Sequence, residues 1–231
     1  MLHRAILRQR IGTSTLRGSQ LREKRIREFL STGMKHLDLL LSGGIPRGQM
    51  TEIIGPASSG KTSLLLSILS QATTRGEAVA YIDSFASLDP IFARKAGIEL
   101  QRLLWVRGGT SFLPEKTLKA ADILAGAGGF GVVVLDLETQ GREVNSGAVQ
   151  KIPFHCWFRL KRIVQGTPTI LLILGNEATA GSAASVVISL RRRKAQWCQS
   201  RRHTCLLRGI CNEVELLRGK NPNHATFYSH F

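Results

Sequence analysis

The chain has 231 residues, of which 43% are hydrophobic and 21% are charged, a composition typical of a globular domain and not of a disordered chain. It contains no apolar run long enough to span a membrane and no secretory signal at its start, so we expect a protein without membrane contact. Its four cysteines include no C-x-x-C pair, which favours reduced thiols and a cytoplasmic location.

Charge is distributed unevenly along the chain, whose net charge is +16. Residues 1–30 carry eight Lys or Arg and two Glu, and residues 191–231 carry nine and two, while the middle is close to neutral. We therefore predict a basic N-terminal arm at 1–30, a core domain at 31–190 and a basic C-terminal extension at 191–231. Basic ends indicate contact with nucleic acid or an acidic partner, although the first 30 residues are equally typical of a solvated tail.

Apolar runs of strand length alternate with helical patterns over the core domain. A first helix at 34–41, capped by Ser31 or Thr32, precedes them. Strands are predicted at 50–54, 78–83, 103–106, 131–136 and 169–174. Helices are predicted between them at 64–74, 88–96, 115–125 and 154–164. Because the strands are unbroken apolar runs separated by helices, we predict an α/β fold with a mainly parallel sheet and helices on both faces.

The chain after residue 183 has a different pattern. Short β-branched runs such as 186–190 predict antiparallel strands at the edge of the sheet. The apolar positions of 204–217 predict packing on the core or on a partner. The last residues, 221–231, are expected to be unstructured.

The most specific motif is a phosphate-binding loop between the first core strand and the helix after it. GPASSGKT at 55–62 matches the pattern G-x-x-x-x-G-K-[ST]. In such loops, backbone N–H groups and the helix N-terminus cradle phosphate oxygens. Lys61 can reach the β- and γ-phosphates and the Thr62 hydroxyl can hold Mg²⁺, so the loop predicts a nucleoside triphosphate with magnesium.

Acidic residues follow two other predicted strands. Asp136 ends an apolar strand at the sheet edge where open α/β sheets bind ligands, and we predict that it holds Mg²⁺ opposite Thr62; a helix N-cap is the alternative. Hydrolysis of ATP also needs a residue that orients water. The segment DSFASLD at 83–89 has no Glu and offers Asp83 and Asp89 as weak candidates.

Four motifs make the chain resemble the RecA recombinase core over about 31–106, and less closely to about 190. They are STGMKHLDLL at 31–40, GGIPRG at 43–48, EIIGPASSGKT at 52–62 and IDSFASLDPIFARKAGI at 82–98. Three further segments resemble the ImuA (SulA-like) branch of mutagenic SOS repair. They are LKAADILAGAGGFGVVVLDL at 118–137, IPFHCWFRLKRIV at 152–164 and TPTILLIL at 167–174.

The resemblance implies a RecA-like fold with ATP and Mg²⁺ as ligands, and a role beside RecA and components of an error-prone polymerase. Single-stranded DNA and further copies of the chain, in a homo-oligomer, are the other implied partners. Around the phosphates and Mg²⁺ it places Gly55, Ser58, Ser59, Gly60, Lys61, Thr62 and Ser63. It places Asp89 and Phe92 beside the adenine, Asp136 at the metal, and Asn176 near the position that senses the γ-phosphate.

Two departures from recombinases bear on activity. Phe85 stands where recombinases carry the Glu that activates water, and a phenyl ring neither accepts a proton nor orients water. The segment 175–184, where recombinases have a long DNA-binding loop, is short and lacks basic residues. We therefore expect an ATP-binding accessory factor of SOS repair and translesion synthesis with weak or no hydrolysis. An active DNA-dependent ATPase recombinase and a nucleotide-independent interaction protein are the alternatives.

Direct DNA contact is predicted in the basic C-terminal extension. The candidate residues are Arg191, Arg192, Arg193, Lys194, Trp197, Arg201 and Arg202. Basic side chains can follow a phosphate backbone while an aromatic ring stacks on a base. A solvated strand end or a site for a protein partner is the alternative.

Overall fold

A computed structural model describes residues 29–108, 114–138, 152–199, 205–219 and 224–230. The strands are β1 (Phe29–Leu30), β2 (Ile45–Pro46), β3 (Met50–Ile54), β4 (Ala78–Asp83), β5 (Leu103–Arg107), β6 (Phe130–Asp136), β7 (Ile170–Gly175), β8 (Val186–Gln199), β9 (Cys205–Arg218) and β10 (His224–His230). The helices are α1 (Lys35–Leu40), α2 (Lys61–Thr74), α3 (Pro90–Lys95), α4 (Pro114–Ala127) and α5 (Phe154–Val164). Within these ranges, no helix has the length and apolarity that a membrane crossing requires.

Eight strands form one sheet in the order β10-β9-β8-β3-β7-β6-β4-β5. From β8 to β5 every neighbouring pair is parallel, whereas β9 and β10 add antiparallel pairs at one edge. β1 and β2 pair in a separate two-stranded sheet. The predicted α/β fold, with a mainly parallel sheet and an antiparallel edge, is confirmed.

The two faces of the sheet carry separate apolar cores. Along β6, Val132 and Val134 belong to one core, and Val133 and Leu135 belong to the other, because alternate residues of a strand point to opposite faces. Helix α2 covers the first face, and α4 and α5 cover the second. Helices on both faces explain why these strands are apolar throughout.

The C-terminal strands agree only in part with the sequence prediction of antiparallel strands at the sheet edge. Residues 187–190 do pair antiparallel with β9, but 186–189 also pair parallel with β3. This part of β8 therefore lies inside the sheet, and the strand continues to Gln199. Val186, Val187 and Ile188 are buried, as in a strand enclosed by the sheet, and a short β-branched run does not distinguish the two directions. The prediction of an unstructured end was wrong, because β10 pairs with β9 along its length.

The start of α1 also differs from the prediction. The N-cap residue is Met34, and its side chain makes no capping hydrogen bond. Ser31 and Thr32 instead donate their hydroxyl hydrogens to the carboxylate of Asp38, at 2.6 and 2.7 Å. Their oxygen atoms accept from the backbone N–H groups of Gly33 and Met34, which precede the helix, rather than from those of its first turn.

Candidate nucleotide site

The phosphate-binding loop joins the carboxyl end of β3 to the first turn of α2. Gly60 is the N-cap of α2 with φ of +91°, and Ser58 also has a positive φ, of 59°. A Cβ atom on Gly60 would lie 2.6 Å from Nδ2 of Asn212 on β9, and one on Gly55 would collide with the carbonyl oxygen of Leu190 on β8. The loop therefore needs glycine at both positions, since the C-terminal strands press against it.

Lys61 is folded into this loop, with 2% of its side chain exposed. Its ammonium group donates to the carbonyl oxygens of Gly55 and Pro56, the latter at 3.1 Å, and lies 3.4 Å from Oδ1 of Asn176. Its Nζ atom also lies 3.1 Å from Oε1 of Glu138. The lysine thus connects the loop with residues that follow β7 and β6.

Asp136, the last residue of β6, is buried and accepts three hydrogen bonds. The donors are the Tyr81 hydroxyl at 2.6 Å, the Ser87 hydroxyl at 3.2 Å and the backbone N–H of Glu138 at 2.9 Å. Burial raises the pKa of Asp136 from 3.8 to about 6; its hydrogen bonds oppose the rise, and the nearby charges of Glu138 and Asp83 add to it. Burial, with the adjacent Asp136 carboxylate, also raises the pKa of Tyr81 well above its ordinary value.

A cavity of about 220 Å³ opens beside these groups. It is lined by Thr62, Leu66, Tyr81, Ser87, Leu88, Asp89, Phe92, Asp136 and Glu138. The structure therefore brings together four predicted site residues from three separate segments of the sequence, namely Thr62, Asp89, Phe92 and Asp136. Phe92 is 46% exposed, so its ring is accessible to a flat ligand such as a purine base.

The oxygen atoms of Thr62 and Asp136 fit a magnesium ion. Mg²⁺ prefers oxygen ligands and is usually held by one or two carboxylates together with phosphate oxygens. Over the described ranges, no group of three or more His, Cys, Asp and Glu side chains is arranged to hold a metal by itself. The donor set thus suits a metal that arrives with a phosphorylated ligand rather than one held by the protein alone.

Asp83 and Asp89 bind backbone groups of the segment that links β4 to α3. Asp83 is buried and accepts from the backbone N–H groups of Ser87 and Leu88 at 2.9 and 3.0 Å, and from Nε1 of Trp105 at 3.1 Å. Asp89 is the N-cap of α3 and accepts from the next two backbone N–H groups beyond Pro90. Both carboxylates therefore have structural hydrogen bonds to maintain.

Phe85 is 7% exposed and is not among the residues that line the cavity. The position that supplies a carboxylate in recombinases, according to the resemblance described above, is thus occupied here by a buried ring.

Two site residues were missed by the sequence analysis, Glu138 and Asn212. Glu138 stands two residues after Asp136, and residues two apart in an extended chain point to the same side, which was the available signal. Asn212 lies about 150 residues after the loop and is fully buried against Gly60. Nothing local in the sequence connects it with the phosphate loop, because the contact depends on the pairing of β9 with β8.

The remaining loop serines occupy different environments. Ser59 is buried, and its hydroxyl makes no hydrogen bond to the part of the chain that the structure describes. Ser63 is half-buried in the first turn of α2. An unpartnered hydroxyl beside Gly55 and Gly60 is consistent with a loop built to receive a ligand.

The basic residues of β8 lie on a surface next to this site. Beyond Ser189, β8 has left β3 and pairs only with β9, and we call residues 190–199 with their β9 partners the basic ribbon. Its four consecutive cationic side chains, Arg191 to Lys194, are exposed, and Trp197 is 61% exposed. The register shifts between Arg192 and Lys194, so Arg193 is a bulge residue. Arg201 and Arg202 lie outside the described residues.

The fold and the loop define a RecA-like phosphate-loop domain. The model of the RecA N-terminal domain family matches residues 6–140, more than half of the chain. The protein RecA of Thermus aquaticus is 43% identical over 110 residues, which are 47% of this chain and 32% of that protein. The protein RecA of Methylococcus capsulatus is also 43% identical over 110 residues, 47% of this chain and 31% of the relative.

This protein belongs to the RecA N-terminal domain family. The 110 residues matched to these two relatives span about a third of the length of each. The region matched by the family model contains the phosphate loop, Asp136 and Glu138, and ends before α5 and the C-terminal strands.

Proposed function

We propose that this protein binds ATP with Mg²⁺ at the cavity beside the phosphate loop. The observation that carries the proposal is that Thr62 and Asp136, from two separate segments, line one cavity, and that Lys61 contacts Glu138, which lines the same cavity. In this arrangement Lys61 and the loop N–H groups bind the phosphates, while Thr62 and Asp136 hold the magnesium ion that offsets their charge. Phe92 packs on the base, and Asp89 orients it from the start of α3.

We further propose that the protein is a DNA-associated factor of recombination or repair, and more narrowly an accessory factor of SOS translesion synthesis. Membership of the RecA N-terminal domain family supports the first part. The buried Phe85 and the short 175–184 segment, which has no Lys or Arg, support slow hydrolysis without strand exchange. The resemblance predicts the partners, which are polymerase components, RecA and further copies of this chain. The composition predicts a cytoplasmic location. Both stay predictions.

ATP binding is tested by titrating a fluorescent ATP analogue into the protein with and without Mg²⁺. We expect saturable, Mg²⁺-dependent binding that Lys61→Ala weakens by at least about 30-fold, since hydrogen bonds to charged groups contribute about 1.5–3 kcal/mol each. Lys119→Ala, which removes an exposed lysine of α4, is the matched control and is expected to bind normally. Absence of binding in the parent would leave the nucleotide-independent interaction protein as the better description.

The rate of ATP hydrolysis distinguishes the proposed accessory factor from the alternative, an active recombinase. ATP hydrolysis measured with and without single-stranded DNA distinguishes the two, because a recombinase requires strong stimulation by DNA together with strand exchange. We expect little stimulation and no exchange. Recombinase-like rates in this assay would replace the accessory role with the recombinase.

A further inference from the structure

We infer that Glu138 has two successive roles: it neutralises Lys61 before the nucleotide binds, and it holds the attacking water afterwards. This inference rests on the ATP binding proposed above. The first role follows from the contacts of Lys61. The second follows from the position of Glu138 beside Asp136 and from the state of the other carboxylates near the cavity.

Lys61 is surrounded by four acceptors, one more than the three N–H donors of its ammonium group. Its three N–H donors face two carbonyl oxygens, the Asn176 amide oxygen and the Glu138 carboxylate. The Lys61 and Glu138 side chains are 2% and 11% exposed, so the pair is largely shielded from water. An ammonium group buried to this degree needs a counter-charge, and within the described residues Glu138 is the carboxylate in contact with it.

A phosphate that binds Lys61 must displace one of these acceptors. Glu138 carries a negative charge, and like charges at contact distance repel by several kcal/mol where the site is shielded from water. The carbonyl and amide oxygens carry no net charge. Glu138 is therefore the acceptor that leaves, and the phosphate takes over the neutralisation of Lys61.

Glu138 remains beside the reacting phosphate after this exchange. Its backbone N–H donates to Oδ1 of Asp136 at 2.9 Å, which fixes the two residues relative to each other, and both line the cavity. Asp136 is assigned to the metal, while Asp83 and Asp89 are bound to backbone N–H groups. Glu138 is thus the carboxylate available to accept a hydrogen bond from water at the γ-phosphate, the task that Phe85 cannot perform.

The assisted step is hydrolysis of the terminal phosphoanhydride. A bond forms between the water oxygen and the γ-phosphorus, and the bond from that phosphorus to the bridging oxygen breaks. The bridging oxygen leaves with ADP and keeps the electron pair. One proton of the water stays on the product phosphate and the other passes to solvent. Glu138 orients the water and is unchanged at the end of the step.

The test compares the parent with Glu138→Gln and Glu138→Asp, using ATP affinity and single-turnover hydrolysis of labelled ATP. Glu138→Gln removes the competing charge, so we expect ATP to bind about 3–10-fold more tightly, a gain of roughly 1 kcal/mol. Hydrolysis is expected to fall at least about tenfold, because a neutral amide holds the attacking water more weakly than a carboxylate does. Glu138→Asp keeps the charge but shortens the side chain, so affinity is expected within about twofold of the parent while hydrolysis falls.

Opposite changes in affinity and rate are the signature of the two roles, because a merely structural role would weaken both. Glu115→Gln removes an exposed carboxylate from the first turn of α4, is matched in charge, and is expected to change neither. A parent that binds ATP while Glu138→Gln binds no more tightly or hydrolyses at the parent rate overturns the inference alone. A parent that binds ATP without hydrolysing it overturns the water-holding role. A parent that binds no ATP overturns the proposed function and the inference together.

Discussion

Two charged regions meet at Leu190, and they are built in opposite ways. At the phosphate loop the charges of Lys61, Asp136 and Glu138 are buried and bound to each other or to neighbouring hydroxyl and backbone groups. On the basic ribbon the cationic side chains are exposed. Buried charges have a large desolvation cost and persist only with precise partners, so the first region suits a ligand of defined geometry. Exposed cations suit a long polyanion whose position varies.

The largest expected effect concerns the basic ribbon. Replacing Arg191, Arg192, Arg193 and Lys194 with Ala is expected to weaken binding of single-stranded DNA by about 100-fold near 0.1 M salt. Each phosphate contact releases counterions from the DNA, and that favourable release is lost with the contact. The slope of the logarithm of the binding constant against the logarithm of the salt concentration is expected to become shallower by about three, at roughly 0.7 per lost contact for single strands. Fluorescence anisotropy over a series of salt concentrations measures both quantities.

The ribbon variant also tests whether the two regions are independent. Mg²⁺-dependent ATP binding is expected to be unchanged in it, and the double variant Lys116→Ala/Lys119→Ala on α4 is the control for loss of positive charge. DNA affinity that does not change with salt, or that is unchanged by the quadruple substitution, would mean that these four cationic side chains are solvated and do not contact DNA phosphates.

The second prediction concerns Asp136 and stability. A carboxyl whose pKa is higher in the folded protein than in the unfolded chain costs stability as the pH rises between the two values, here from 3.8 to about 6. That difference corresponds to a stability cost of ~3 kcal/mol for the buried carboxylate. Asp136→Asn removes this cost but also removes one hydrogen-bond acceptor, which offsets part of the gain. We therefore expect Asp136→Asn to raise the free energy of unfolding by ~1–2 kcal/mol above pH 6.

The gain is expected to vanish towards pH 3, below both pKa values, where the parent carboxyl is largely protonated in both states. Urea unfolding at pH 3 and pH 7.5 measures it. Asp122→Asn removes a partly exposed ion pair with Arg159 and is expected to change stability by less than ~1 kcal/mol at either pH. A loss of stability in Asp136→Asn at pH 7.5 would mean that its hydrogen bonds outweigh the cost of its buried charge.

The smallest predicted effect belongs to Trp197. Its exposed ring is expected to stack on a base, so Trp197→Ala should weaken single-stranded DNA binding by about tenfold, within the range of 1–3 kcal/mol per stacked base. Because the ring carries no charge, the salt dependence should stay at the parent value. Trp197→Phe, which retains an aromatic face, is the control and should bind nearly as well as the parent. Equal losses in both variants would indicate a packing role.

Much of the fold was predictable because its signals are local. Strands β3, β4, β5, β6 and β7 lie within one or two residues of their predicted bounds, and α5 matches at both ends. Unbroken apolar strands separated by helices leave little choice of architecture. The C-terminal strands were harder to predict, since their direction and pairing depend on contacts distant in sequence: β8 on β3, and β9 on β8.

The candidate site divides in the same way. Lys61, Thr62 and Asp136 were identified from motifs, because phosphate and magnesium chemistry restricts both residue type and spacing. Glu138 has no motif of its own. Asn212 reaches the loop through the pairing of β9 with β8, in a segment whose sequence shows only an apolar strand pattern without a binding motif. The sequence therefore pointed more readily to the residues proposed to touch the ligand than to those proposed to position or neutralise them.

The exchange of partners by Lys61 is tested most directly by a crystal structure of the protein with Mg²⁺ and a non-hydrolysable ATP analogue. We predict that Nζ of Lys61 contacts the β- and γ-phosphates, that Glu138 has separated from it, and that a water molecule lies between Glu138 and the γ-phosphate. An analogue bound at the loop with the Lys61–Glu138 contact still at about 3.1 Å would contradict this account.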